Sequence, residues 1–294
     1  MKSLEGRTAL LTGASRGIGQ YIGRALAEHG VNVVLAARGT DALESAAREL
    51  RSMGVRAVPI AADIAETAAR KRLLEQAQAA MGPIDILINN AGMEWLSRYT
   101  NLSTDFIDTM IQTNLAGPLI LSRLLLPQMI ERGAGHIVMM SSLGGKKGSP
   151  YTATYAATKA GLIEWTAGIR EELAGTGVSA SVICPGFISG AGMFAAYGKR
   201  APWIAGESRP EQVAAAVIRA IRDDVGEIIV NPGPVRLMMV TNAISPAALN
   251  WVFKAFGIYE FYRKQAEVND ALRASRHPAT NDSGQFRDKH TAND

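Results

Sequence analysis

Cysteine is almost missing from this 294-residue sequence. Cys184 stands alone, so no intrachain disulfide framework can form, and the chain suits a reducing compartment. Long apolar runs are missing too: no stretch approaches the ~18 uninterrupted residues of a spanning helix. The few polar residues before Thr8-Ala9-Leu10-Leu11 carry no secretory signal, so a cytoplasmic location is expected. A strong charge of one sign is also absent. The formal net charge is +4 and the basic residues are scattered, which can help attract an anionic cofactor but argues against a nucleic-acid partner. No internal repeat or low-complexity tract occurs, and no metal is expected. What is present is 47% hydrophobic residues, enough to bury a sizeable core in one large α/β domain or two small ones.

Short apolar runs alternate with longer helical patterns over the first four-fifths of the chain. Strands are predicted at 8–12, 31–36, 56–60, 84–88, 135–140, 178–184 and 226–230. Most are continuously hydrophobic, as strands covered on both faces must be. The segments 17–29, 40–53, 66–81, 104–132, 152–175 and 209–223 are each long enough for a crossover helix. This order predicts a Rossmann-type, doubly wound parallel sheet with helices on both faces and ligands at the carboxyl ends of the strands. The domain is read over 1–234.

The first strand runs into Thr12-Gly13-Ala14-Ser15-Arg16-Gly17-Ile18-Gly19, followed by an amphipathic helix. Gly13 can make the tight turn, Gly17 can let backbone approach a pyrophosphate, and Gly19 can permit close helix packing. The second strand ends at Ala37-Arg38. An acidic residue there would bind an adenosine ribose, whereas Arg38, with Arg16 nearby, can grip a 2′-phosphate. NADP(H) is therefore expected over NAD(H). Asp63-Ile64 follows the third strand, where the carboxylate can accept from the adenine amine or simply orient its loop. After the fourth strand comes Asn89-Asn90-Ala91-Gly92, which either closes the cofactor cleft or ties neighbouring strand ends together.

Chemistry is concentrated after the fifth strand. Ser141-Ser142 ends it, a glycine-rich segment follows, and Tyr155-Ala156-Ala157-Thr158-Lys159 begins the next helix. A spacing of four stacks Tyr155 and Lys159 on one helix face. The ammonium is expected to lower the phenol's pKa. In a reduction Tyr155 would give a proton to the carbonyl oxygen while Ser142 stabilises the developing negative charge. Asn114, inside a long helical pattern, can distort that helix and hold a water that passes protons toward Lys159. Pro185-Gly186 ends the sixth strand and directs a loop that can close over substrate.

At these residues the chain resembles the short-chain dehydrogenase/reductase family over roughly 5–234: TGASRGIG at 12–19, Asp63-Ile64, NNAG at 89–92, Asn114, Ser142, YAATK at 155–159 and PG at 185–186. The resemblance implies Asn114, Ser142, Tyr155 and Lys159 as the catalytic set. It implies cofactor contacts at Gly13, Ser15, Arg16, Gly17, Ile18, Gly19, Arg38, Asp63, Ile64, Asn90, Ala91, Gly92, Tyr155, Lys159, Pro185, Gly186 and Ile188, and a homodimer or homotetramer. One position departs from the family pattern: Gly190 stands where PGFIxT would place a threonine, with Ser189 or backbone groups left to compensate.

After Pro232-Gly233-Pro234 the composition changes. Residues 235–264 are rich in Leu, Met, Trp, Phe and Tyr and too interrupted to span a bilayer; 265–294 are polar and expected to be flexible. The apolar segment reads as an extra helical layer or subunit contact, a membrane-surface element, or a lid over a hydrophobic substrate. It resembles, more weakly, the tails of fatty-acyl and polyketide ketoreductases, which implies a hydrophobic ketone or 3-oxoacyl substrate. Oxidation of a secondary alcohol such as a sterol or sugar uses the same residues, and a catalytically silent nucleotide-binding scaffold is the remaining alternative.

Overall fold

The computed structural model describes Met1 and residues 3–276. Its first half alternates strand and helix: β1 (Thr8–Thr12), α1 (Ile18–Glu28), β2 (Asn32–Ala37), α2 (Thr40–Ser52), β3 (Ala57–Ala61), α3 (Thr67–Met81) and β4 (Ile86–Asn89). Next come α4 (Thr104–Ile111), a π-helical turn (Gln112–Ala116), α5 (Gly117–Glu131), β5 (Gly135–Met140), a short α6 (Leu143–Lys146), α7 (Ala153–Glu172) and β6 (Val178–Pro185). The chain then forms β7 (Phe187–Ile188), α8 (Gly192–Ala195), β8 (Glu207–Ser208), α9 (Pro210–Asp223), β9 (Glu227–Val230), α10 (Val235–Ile244), α11 (Pro246–Ala255) and α12 (Ile258–Arg276).

Seven strands form one parallel sheet in the order β3-β2-β1-β4-β5-β6-β9. The order reverses between β1 and β4, so the connections leaving their carboxyl ends run to opposite faces of the sheet and leave a crevice there. Successive side chains of a strand point to opposite faces, which sorts the continuous apolar runs into two cores. Leu11, Val33 and Leu35 pack with Ile22 and Leu26 of α1 and Val213 and Val217 of α9. Leu10 and Val34 pack with Leu73 of α3, Leu125 of α5 and Leu162 of α7 on the other face.

Two sequence expectations need correction. The predicted helix over 104–132 is broken by the π-turn. Pro118 has no N–H to return to the carbonyl of Asn114, so the register slips there, and Gly117 fits a tight approach where an added Cβ would lie 2.8 Å from the Ile64 carbonyl. The polar segment from 265 is not a flexible tail over its first dozen residues, because α12 continues to Arg276. Its polar groups are used: Asn269 Nδ2 donates to the Leu96 carbonyl at 2.9 Å, and the Asp270 carboxylate accepts from Ser97 Oγ and from Asn101 Nδ2 at 2.8 Å. Residues 277–294 of that expectation lie outside the described residues.

The junction of α6 with α7 rests on one glycine. A Cβ on Gly145 would lie 2.6 Å from the carbonyl carbon of Lys159, so backbone meets backbone with no room for a methyl group. Gly168, within α7, faces open space. Gly145→Ala is therefore expected to lower the unfolding free energy in urea by roughly 1–3 kcal/mol, while Gly168→Ala raises it by up to about 1 kcal/mol. A neutral Gly145→Ala would contradict this packing.

Candidate active site

The carboxyl ends of β1, β4, β5 and β6 hold most of the residues singled out from sequence. At the nucleotide end, Thr12 Oγ1 accepts from the Asn90 and Ala91 amides at 3.0 and 3.1 Å, and Asn90 Nδ2 donates to the Thr12 and Gly13 carbonyls at 3.1 and 3.0 Å. The asparagine turn thus ties the β1 and β4 ends together, with Thr12, not singled out from sequence, as the hinge. A Cβ on Gly13 would lie 2.7 Å from the Ala91 Cα, and one on Gly19 would lie 2.1 Å from the Gly13 carbonyl oxygen. Gly17 has φ 62°, a conformation that favours glycine, and it precedes α1 without any side-chain cap. No side chain caps the start of α1, where the Gln20 amide turns back to the Gly17 carbonyl, and a pyrophosphate fits against the N–H groups that precede it. Ser15 borders this turn, its carbonyl accepting from Gln20 Nε2 at 3.1 Å.

Arg16 in the glycine turn and Arg38 directly after β2 are both exposed at this edge. Asp63 Oδ1 accepts from the Ala65 amide at 2.9 Å, which orients its own loop. Ile64 is buried in the core beside Leu73 and Leu125.

At the reacting end, Ser142 caps α6, its Oγ accepting from the Gly144 amide at 3.0 Å. That bond uses a lone pair and leaves the hydroxyl hydrogen to donate. Tyr155 is buried, with its ring against Gly144. Lys159 Nζ lies 5.7 Å from the Tyr155 ring centroid and donates to the Met140 carbonyl at 2.8 Å. Ser141 Oγ donates to the Lys159 carbonyl at 2.8 Å, fastening β5 to α7 a second time. Asn114 is buried in the π-turn: its Oδ1 accepts from the Met93 amide at 2.8 Å, and its Nδ2 donates to the Met93 carbonyl at 2.8 Å and to Thr158 Oγ1 at 3.3 Å. Asn114 Oδ1 and Lys159 Nζ both flank Gly92, each 3.4 Å from where its Cβ would be.

The electrostatics correct one expectation. Lys159 does not leave Tyr155 with a lowered pKa. Burial, and then the negative charge of Glu94, push the phenol well above its usual range, against a smaller opposing effect from the Ser142 hydroxyl. Lys159 itself is pushed down to about 8 by burial, with Glu94 acting the other way. Glu94 is raised to about 7, chiefly by desolvation, while the Tyr197 hydroxyl and Lys159 lower it. Sequence offered no signal for Glu94 or Tyr197: they are 103 positions apart, yet Tyr197 Oη donates to Glu94 Oε2 at 3.2 Å.

Pro185 and Gly186 end β6, and a Cβ on Gly186 would strike Asn231 Oδ1 at 2.2 Å. Ser189 donates to the Ser208 carbonyl from both its amide, at 3.0 Å, and its hydroxyl, at 3.3 Å, which commits it to pairing β7 with β8. Gly190 has φ 78°, where a threonine would be strained, so this loop takes a path the usual residue would not. Two residues on, Gly192 packs on Ile18.

Ile18, Asn90, Gly92, Ser142, Tyr155, Lys159, Pro185, Gly186 and Ile188 border a single cavity of about 190 Å³. Gly13, Ser15, Arg16, Gly17, Gly19, Arg38, Asp63, Ile64, Ala91 and Asn114 are not among its lining. The C-terminal extension adds Val235, Met238, Met239, Phe253, Phe261 and Tyr262 to the lining. Phe187, Phe194 and Phe261 form an aromatic cluster with ring centroids 4.8 to 6.0 Å apart. The extension thus supplies part of the cavity's lining.

Comparisons with known proteins agree with this geometry. Residues 7–201 match the family described as short chain dehydrogenase. The chain is 44% identical to the ketoacyl reductase HetN of Nostoc sp. strain PCC 7120 over 272 residues, covering 91% of this chain and 95% of that protein. An uncharacterized oxidoreductase of Staphylococcus aureus strain MRSA252 is 35% identical, with 79% of this chain covering all of it. Among solved structures, a metagenomic short-chain oxidoreductase in complex with NADP superposes with a TM-score of 0.67 at 33% identity, over 77% of this chain and 97% of that one. A putative short-chain alcohol dehydrogenase from Sinorhizobium meliloti 1021 gives a TM-score of 0.71 at 30% identity, over 78% of this chain and 95% of that one. By its matched motifs, its fold and these near full-length likenesses, the chain belongs to the short-chain dehydrogenase/reductase family of oxidoreductases.

Proposed function

We propose that the protein is an NADP(H)-dependent reductase of hydrophobic ketones or 3-oxoacyl compounds. The observation that carries this reading is the cavity, which brings Ser142, Tyr155 and Lys159 into one lining with apolar and aromatic side chains. When bound, the cofactor supplies the hydride that reduces the carbonyl carbon. The chain's residues do the rest. The Ser142 hydroxyl donates to the carbonyl oxygen and stabilises charge as it develops there. Tyr155 gives that oxygen its proton. Lys159, fixed by the Met140 carbonyl, keeps a positive charge beside the phenol as it turns toward phenolate. Asn114 holds Met93 and so fixes the loop after Gly92.

Tyr155 is a neutral phenol, the form that donates in reduction; burial and the charge of Glu94 raise its pKa further and make it a weaker acid, which leaves the Lys159 charge to stabilise the phenolate as it develops. Alcohol oxidation would run through the same residues in reverse. The NADP-bound structural relative supports the cofactor choice, as do Arg16 and Arg38 at the edge where a 2′-phosphate would sit. The Nostoc relative, named a ketoacyl reductase, supports the substrate class. Its alignment covers so much of this chain that it takes in α10 and α11, whereas the compact S. aureus relative is matched in full by less of it. The complete reacting set weighs against a silent scaffold.

The test is cofactor consumption across 3-oxoacyl thioesters, alicyclic ketones and keto sugars with NADPH and NADH. Apolar ketones or 3-oxoacyl thioesters with NADPH should turn over fastest, and exclusive NAD-linked alcohol oxidation would overturn the reading. Arg38→Ala is expected to raise the KM for NADPH by about tenfold or more and to leave that for NADH little changed; equal effects on both would remove Arg38 from the 2′-phosphate. Lys159 is charged below its pKa, so the kcat/KM for reduction should fall as pH rises through about 8. A profile that stays flat through that pH contradicts a role for its charge.

A further inference from the structure

The helices of the extension use their two sides differently. Met238 and Met239 of α10 and Phe253 of α11 line the cavity. The opposite surface meets solvent. Leu237, Val240 and Ile244 recur at intervals of three and four and form one stripe on α10, with Leu237 66% and Ile244 81% exposed. α11 starts at the Ser245 cap, packs against α10 and adds Trp251, 69% exposed. Where α11 gives way to α12, Trp203 is 80% exposed and stands edge-on to Phe256, with ring centroids 5.8 Å apart. A single exposed apolar residue is ordinary, but two tryptophans and an aliphatic stripe on adjoining elements mark a surface that binds something.

Charge identifies the partner. The chain has 27 Asp and Glu among its 294 residues, yet residues 187–206 and 228–259, which supply this surface, contain none. The same segments carry Lys199, Arg200, Arg236 and Lys254, all exposed. A second copy of this surface would bring cation against cation across a two-fold contact. An anionic lipid surface accepts both components, since aliphatic side chains enter the acyl boundary, indole rings sit at headgroup level, and lysine and arginine pair with lipid charge.

We propose that the outer face of α10 and α11, together with Trp203, docks the protein on an anionic lipid surface. The contact is interfacial: among the described residues no helix is long and apolar enough to cross a membrane. Docking places the lipid on one side of the helices whose other side lines the cavity. An apolar carbonyl compound dissolved in the membrane then has a short route to Tyr155. That consequence rests on the reductase reading; the docking itself does not.

The experiment is co-sedimentation of the full chain with phosphatidylcholine vesicles, with and without added phosphatidylglycerol. Because binding is read without turnover, the docking and the reductase reading fail separately. The chain should sediment with the anionic vesicles, with tryptophan emission moving to shorter wavelength, and only weakly with the neutral ones. The double variant Ile244→Glu/Trp251→Glu should partition at least about tenfold less while binding NADPH as the wild type does. Arg236→Ala/Lys254→Ala leaves the apolar stripe in place and should weaken binding to the anionic vesicles alone, with turnover of a soluble ketone unchanged. The proposal is overturned by absence of sedimentation with either vesicle, by equal binding to both, or by unchanged binding of the Arg236→Ala/Lys254→Ala variant. It is also overturned if the wild type forms a concentration-dependent dimer that Ile244→Glu/Trp251→Glu dissolves.

Discussion

The site is organised around one buried ammonium. Lys159 is 3% exposed, and burying a cation without a partner is costly. The Met140 carbonyl accepts from the ammonium at 2.8 Å, and although burial pushes the amine's pKa down to about 8, the nearby negative charge of Glu94 opposes that fall. Meeting this requirement fixes everything around it. The bond to Met140 fastens α7 to the carboxyl end of β5, Ser141 repeats the attachment through the Lys159 carbonyl, and Gly145 lets α6 lie backbone to backbone on α7. Ser142 and Tyr155 consequently line the same cavity from two different elements.

A second layer closes over this one. Tyr197, in the turn after α8, reaches Glu94, while α12 fastens Leu96, Ser97 and Asn101 in the same stretch that follows Gly92. The loop bearing Glu94 is therefore held by one residue of the Rossmann domain and by the last helix of the C-terminal sequence. The Rossmann core carries Ser142, Tyr155 and Lys159, and the residues beyond β9 add to the apolar lining of the same cavity. Glu94 belongs to both parts: it lines the cavity, and its negative charge, after burial, raises the pKa of Tyr155.

What could be read from sequence was local. Continuous apolar runs gave the buried parallel strands because both faces of the sheet are covered. The four-residue spacing put Tyr155 and Lys159 on one helix face, and the glycine turn identified itself by lying between a strand and a helix. Long-range geometry was not legible. The polar residues of α12 read as solvated because their partners, such as Leu96 for Asn269, lie 173 positions away. The π-turn follows from Pro118 acting on Asn114 in a fold whose tight spot is made by Ile64. The direction of the Tyr155 shift was misjudged because the adjacent lysine is visible in sequence, while burial and the Glu94 carboxylate are not.

In the proposed reaction a neutral, buried Tyr155 supplies the proton while the rest of the site binds and orients. Replacing Tyr155 by Phe removes one oxygen and leaves the ring's packing. NADPH affinity, measured by quenching of protein fluorescence, should stay at the wild-type value, while single-turnover reduction of an apolar ketone falls at least ~100-fold. Reduction within a few-fold of wild type, with affinity unchanged, would contradict the account.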